Sequence, residues 1–279
     1  MCPRSTGKAP KSRSRRAVPA ALPGLEEFVL PTRFGPEIAG IDEAGRGCLA
    51  GPVVAACVVL PESFALAGLD DSKKLEPEDR ERLYPQIKAQ ALAWGIAASP
   101  PARIDEINIL EATFEAMAKA CAKAAAKLAN KGSLPKRLFV DGSKTIPHAV
   151  LAREMARRVP AADLPSQRAV VKGDSLVAAI SAASVLAKVW RDRYMDRLAR
   201  VHLLYGFEEN KGYGTMDHLA RIACHGPCPV HRLTFQGVKE HVHKRGAHAA
   251  QNFAQNFAQD LAQNLAQGEE ERCIVISRS

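Results

Sequence analysis

Four acidic residues stand where apolar runs end. Asp42 and Glu43 close a run inside "AGIDEAGRGCLAGPVVAACVVL" (39–60), Asp141 closes "KRLFVDGS", and Asp174 closes "RAVVKGDS". Taken singly, each has an ordinary explanation. Asp141 suits a turn before Gly142, Asp174 suits the cap of a following helix, and the Asp42–Glu43 pair suits a solvated strand end. Taken together they suggest chemistry. Converging carboxylates raise one another's pKa unless a counter-charge intervenes. Mg²⁺ or Mn²⁺, which prefer hard oxygen ligands, would supply it. Two such ions can clamp the attacking and leaving oxygens of an in-line phosphoryl displacement. Neighbouring residues on a strand face opposite sides, so Asp42 and Glu43 reach one site only if the strand ends or bulges there. Gly45 and Gly47, on either side of Arg46, permit such a bend and let backbone amides approach a ligand.

The elements that must position these groups are legible in outline. Residues 37–43 and 52–60 read as two hairpin-paired strands around the Gly45–Gly47 turn, and "LAWGIAAS" (92–99) as a third. A helix opens near Pro77, where proline suits the first turn. Residues 104–129 carry helical spacing (Ile107, Leu110, Phe114, Met117, Cys121), and residues 176–200 read as a long helix. "KRLFVDGS" and "RAVVKGDS" are short strands. A hairpin followed by strands alternating with helices indicates an α/β fold, its sheet part antiparallel and part parallel. In such sheets sites form beyond the carboxyl ends of the strands, where Asp141 and Asp174 fall.

The chain has 279 residues, a net charge of +9 and a pI near 9.3, a balance that favours a polyanionic partner. Six basic residues and no acid lie in residues 1–24, which read as a disordered tail, so residues 25–245 are only mildly basic. Residues 246–279 are low in complexity. Phe253, Phe257, Leu261 and Leu265 recur every four residues there, a stripe that drifts by ~40° per repeat around a helix. No run of eighteen apolar residues is present, and no apolar segment follows the basic N-terminus, so neither a membrane span nor a secretory signal is expected. Seven scattered cysteines fit reduced thiols in a cytoplasmic protein.

Six ordered blocks resemble the ribonuclease HII family: "GIDEAGRGCLAGPVVAACVVL", "DSKKL" (71–75), "FVDGSK" (139–144), "VKGDSLVAAISAASVLAKVWRDR" (171–193), "NKGYGTMDHL" (210–219) and "HGPCPVHRLTF" (225–235). The resemblance spans roughly residues 38–238 and neither tail. It implies a ribonuclease H-like fold, a mixed sheet flanked by helices with a C-terminal helical extension. It implies metal-dependent cleavage of RNA in RNA–DNA hybrids. Incision 5′ of single ribonucleotides in duplex DNA is also implied, leaving 3′-hydroxyl and 5′-phosphate ends. By motif position Asp42, Glu43, Asp141 and Asp174 are the implied ligands of Mn²⁺ or Mg²⁺. Gly45, Arg46 and Gly47 match the loop that senses the ribose 2′-hydroxyl, and Tyr213 matches the tyrosine that packs on the following sugar. Ser143 departs from the family, which often has Asn after "DG"; a loop adjustment is expected there. Lys188 reads as scaffold. Lys73 and Lys74 suit either phosphate binding or a solvated loop.

Two other classes fare worse. Cys224, His225, Cys228 and His231 do not have the spacing of common zinc sites. A purely nucleic-acid-binding protein gains nothing from four acids beside a phosphate backbone, and 5% aromatic content is poor for base stacking. A monomer is the default expectation, since no symmetric interface is visible.

Overall fold

The run VVAACVV buries every residue, as a strand does when both faces of its sheet are covered. The computed structural model describes residues 35–64, 75–160 and 162–244. The two expected tails, and Lys73 and Lys74, lie outside them. Five strands form one mixed sheet: β1 (Ile38–Ala44), β2 (Val53–Val59), β3 (Ala93–Ser99), β4 (Arg137–Asp141) and β5 (Ser166–Val170), in the order β3-β2-β1-β4-β5. β1, β2 and β3 pair antiparallel, while β4 and β5 join parallel to β1. No helix among the described residues is long and apolar enough to cross a membrane.

Among the described residues seven α-helices accompany the sheet: α1 (Pro77–Gln90), α2 (Pro101–Ile107), α3 (Ile109–Ala129), α4 (His148–Arg158), α5 (Ala178–Val201), α6 (Phe207–Asn210) and α7 (Met216–His225). α3 and α4 cover one face of the sheet, and α5, with α1 against it, covers the other. Both long helices sit unusually close to the strands. A Cβ on Gly40 would fall 2.3 Å from the backbone of Ala179 in α5, and one on Gly95 would fall 2.2 Å from the Ala120 carbonyl oxygen in α3. The alanine and glycine content of these stretches is therefore what brings α5 directly beneath the residues of β1.

Three features differ from the sequence reading. Residues 104–129 are not one helix. Asn108 adopts φ 72° and its side chain accepts from the amides of Leu110 and Glu111 at 2.9 and 3.1 Å, ending α2 and capping α3. α4 received no assignment from the sequence, although Leu151 and Met155 at i, i+4 mark its buried face. Asp174 does not cap the long helix. It lies buried in a 3₁₀ turn, Gly173–Ser175, and α5 starts three residues later behind Val177.

Beyond α5 the chain folds back onto the 45–52 loop. Ala50 bridges to His231, and a chain of neutral histidines lies behind that contact. His218 Nδ1 is 2.8 Å from the Tyr213 carbonyl oxygen, which only accepts, so Nδ1 carries the proton. His231 Nδ1 accepts from the Cys228 amide at 3.0 Å, so its proton is on Nε2 and is donated to His218 Nε2 at 3.0 Å. Both rings are buried, and both nitrogens of each ring already face a bonding partner.

Replacing Gly40 by Ala should cost about 1–3 kcal/mol, because the colliding atoms are helix backbone that a side-chain rotation cannot clear. Thermal unfolding should fall by roughly 2–4 °C for each kcal/mol; an unchanged melting temperature would mean that α5 can retreat freely. Burial holds the His218 imidazole below its ordinary 6.5, partly opposed by the Tyr213 carbonyl and Asp217, and aided by Arg221. The unfolded chain therefore takes up a proton that the native state resists. Stability is full above pH 6.5 and is lost as pH falls below it, by up to about 1.4 kcal/mol per pH unit. Burial lowers His202 in the same direction. Urea midpoints at about pH 7.5 and about pH 5.5 should differ, and differ less in His218→Gln. An equal loss in both proteins would assign the effect elsewhere.

Candidate active site

The parallel pairing of β1 and β4 runs from Ile38↔Arg137 to Ile41↔Val140 and stops there. The next residue on each strand is an aspartate, Asp42 on β1 and Asp141 on β4. β1 meanwhile stays paired to β2 without interruption through Ala44↔Val54, and β4 stays paired to β5 through Asp141↔Val170. Asp42 and Asp141 therefore meet where two strands part, and β1, expected to end or bulge after Glu43, runs on in regular pairing and ends at Ala44. The parting falls between strands whose continuations lead to opposite sides of the sheet, the topology at which α/β sheets open a crevice.

Three carboxyls sense one another in that crevice. Asp42 is buried, and burial, then Glu43, then Asp141 push its carboxyl well above the usual range; bonds from the Ser184 hydroxyl and the Glu43 amide (2.7 Å) oppose this. Burial also raises Glu43, against the pull of Arg46, whose guanidinium lies 3.1 Å from Oε1. Asp141 Oδ1 accepts the Gly173 amide at 2.7 Å, which ties β4 to the turn carrying Asp174. The structure thus gathers Asp42, Glu43 and Asp141 within electrostatic reach and sets Asp174 on the adjoining turn. Among the described residues, no three acidic, histidine or cysteine side chains stand ready-made as a metal cage.

A cavity of about 260 Å³ lies beside Glu43, walled by Gly45, Arg80, Ser184, Lys188 and Tyr213. A larger hollow of about 500 Å³ at the opposite ends of β4 and β5, around Glu37 and Lys136, holds no comparable cluster. The two glycines of the turn answer to different demands. Gly45 has φ +89°, and a Cβ there would fall 2.0 Å from Nε of Arg191, so the fold itself requires glycine. At Gly47, which is exposed, a Cβ would meet nothing within 4 Å. Across the cavity Tyr213 is 42% exposed, with the Lys188 ammonium 5.4 Å and the Arg191 guanidinium 5.8 Å from its ring centre. Its phenol is raised, chiefly by burial, and bonds Cys48. Gly212, beside it, accepts the Leu49 amide at 2.7 Å, joining the two loops.

Several participants escaped the sequence reading. Ser184, Lys188 and Arg191 stand at i, i+4, i+7 on α5, a polar stripe that was visible in the spacing. Lys188, read from the sequence as scaffold, walls the cavity and pairs with Asp192 at 2.8 Å. The side chains of the cysteine–histidine segment do not all converge. Cys224 is exposed, whereas Cys228 and His231 are buried and bonded to each other.

Comparison with known proteins agrees with this arrangement. Residues 39–238 match the family model described as Ribonuclease HII. The chain is 53% identical over 204 residues to the ribonuclease HII of Nitratidesulfovibrio vulgaris, covering 73% of this chain and 88% of that protein. It is 49% identical over 205 residues to that of Geobacter metallireducens, covering 74% and 86%. Among solved structures it resembles the ribonuclease H2 of Pyrococcus horikoshii, with TM-score 0.58 and 25% identity over 74% of this chain and 97% of that one. Matched across its sheet, its crevice and its C-terminal helices alike, the chain belongs to the ribonuclease HII family and is a ribonuclease H, an endoribonuclease of RNA–DNA hybrids.

Proposed function

We propose that the enzyme also incises duplex DNA 5′ of a single embedded ribonucleotide, and that it works with divalent cations held by Asp42, Glu43, Asp141 and Asp174. The observation that carries this reading is the cavity itself: Glu43, one of the clustered carboxyls, lines it together with Gly45 of the turn and Tyr213, which can inspect one sugar. The donor set fits Mg²⁺ or Mn²⁺. All four would-be ligands are hard oxygens, and the burial and neighbouring carboxylates that lift Asp42 are what a bound cation would offset. When bound, such ions supply activation of the attacking water and stabilisation of the departing 3′-oxygen.

The chain's own groups do the selecting. Arg232 bonds the carbonyls of Gly45 and Arg46 at 2.6 and 2.8 Å, so those oxygens are turned inward. In a trans peptide the N–H points the opposite way from the C=O, and no cis bond is present. The amides of Arg46 and Gly47 are thus the donors offered to a 2′-hydroxyl, the group that separates RNA from DNA. They read the sugar without reading the base. The empty space beside Gly47 admits the nucleotide, and Tyr213, braced by Lys188 and Arg191, supplies a flat face for the next sugar. The substrates are RNA–DNA hybrid and ribonucleotide-containing duplex. The free thiols Cys48, Cys57, Cys121, Cys224 and Cys228 suit a reducing compartment such as the cytoplasm.

A labelled duplex with one ribonucleotide should be nicked immediately 5′ of it in Mg²⁺ or Mn²⁺, with Asp42→Asn slower by at least about 100-fold, a barrier increase of about 2.7 kcal/mol. Cleavage of long hybrids alone would sink the single-ribonucleotide reading; equal rates in the variant would remove Asp42 from catalysis. Gly47→Ala should melt with the wild type, since its Cβ meets nothing, yet lose about tenfold in kcat/KM by crowding the nucleotide. Undiminished activity would mean that the turn does not touch the substrate.

A further inference from the structure

We propose that Arg232, with Arg191 beside it, is a positioning residue for ribose recognition, holding the Gly45–Gly47 turn and Tyr213 as one rigid reading unit. This rests on the sugar-reading role proposed for the turn.

Both side chains are completely buried, and they are the largest such side chains among the described residues. Burying a guanidinium is costly unless its donors are satisfied. Here backbone carbonyls satisfy them, and among the described residues neither arginine forms an ion pair. Arg191 donates to Pro52 (3.1 Å), Ala50 (3.0 Å) and Lys211 (2.8 Å). Arg232 donates to Gly51 (3.1 Å), Arg46 (2.8 Å) and Gly45 (2.6 Å). Five of the six acceptors lie between residues 45 and 52, and the sixth is two residues before Tyr213. The nearby Asp105 spends its carboxylate on the amides of Leu233 and Thr234, at 2.9 and 3.0 Å, and so anchors the strand of chain that carries Arg232.

The choice of carbonyls is informative. The oxygen of Gly45 shares its peptide unit with the Arg46 amide, and the oxygen of Arg46 shares its unit with the Gly47 amide. Arg232 therefore grips the two peptide units whose N–H groups face the sugar. A charged donor on the carbonyl polarises the peptide and strengthens its N–H as a donor. It also fixes the direction in which that N–H points. Arg191 completes the unit from below: it leaves no room for a Cβ at Gly45 and lies under the Tyr213 ring. Apolar residues would fill this volume at less cost to the fold. Six aimed hydrogen bonds are what they would lack.

The test is the ratio of affinities for a duplex with one ribonucleotide and for the same duplex in DNA alone, measured by anisotropy on the full chain carrying Asp42→Asn to prevent turnover. Adding Arg232→Lys, which keeps the charge and loses the fork, should lower the ratio about tenfold while leaving the DNA affinity unchanged. A merely structural arginine would lower both affinities together and preserve the ratio, which overturns the proposal. Should Arg232→Lys fail to fold, hydrogen exchange on the unsubstituted protein decides. The Leu49 and Gly51 amides, bonded to Gly212 and Val230, should exchange only with global unfolding, and exchange by local opening overturns it. A ratio near one without the arginine substitution would defeat the sugar-reading role itself. A high ratio that Gly47→Ala abolishes and Arg232→Lys spares would defeat the positioning role alone.

Discussion

Everything in this molecule depends on a hydrogen-bonding ladder that stops one residue early. β1 and β4 pair up to Ile41 and Val140, and the two residues that would form the next rung are aspartates. Their side chains would repel across a closed ladder, and the buried Asp42 already carries a carboxyl pushed up by burial and by its neighbours. Parting the strands relieves some of that repulsion and makes a crevice, and the crevice is where chemistry can occur. The remaining architecture holds it open. The strands are clamped from outside by unbroken pairing to β2 and β5, and α5 is pressed onto β1 so closely that Gly40 must be glycine.

Charge is distributed around this crevice with a consistent logic. The acids crowd together with few counter-charges, and the pull of Arg46 on Glu43 is weaker than the push of burial. The positive groups that might have neutralised them are placed one layer away. Arg191 and Arg232 face carbonyls, and Lys188 faces Asp192. A repulsive centre surrounded by self-satisfied cations is poorly arranged for stability alone. It is well arranged for binding cations and a polyanion, because the missing charges are supplied by what the site takes up.

The sequence told more about the site than about its support. Four of the strands and the long helix fall within a residue or two of where hydrophobic patterning puts them, while β5 ends at Val170, short of the Gly173 and Asp174 where its end was read. The split at Asn108 was hidden because spacing on either side of it is helical, and only the backbone conformation of one residue ends the run. The parting of β1 from β4 could not be read at all. It is a relation between residues nearly a hundred apart, whereas the glycines after Glu43 spoke only of β1 itself, as a strand that ends or bulges there. Arg191 and Arg232 were overlooked for a similar reason. An arginine in a helix or a loop reads as surface, and their burial follows from long-range bonds to carbonyls of residues 45–52.

The motif GRG makes the same point at the scale of three residues. Its two glycines look alike in sequence, yet one answers to the protein and the other to empty space. Gly45 is imposed by a positive φ and by Arg191 at its back, so any family member with this packing must keep it whatever it binds. Gly47 is under no such constraint, and a methyl group there would touch nothing in the fold. A glycine that the fold itself does not require leaves surface open to whatever arrives from outside. That open surface lies beside the Arg46 and Gly47 amides, whose peptide carbonyls are held by the buried Arg232 guanidinium. In the proposed reading, recognition of the ribonucleotide lies as much in what the turn leaves vacant as in the groups it presents.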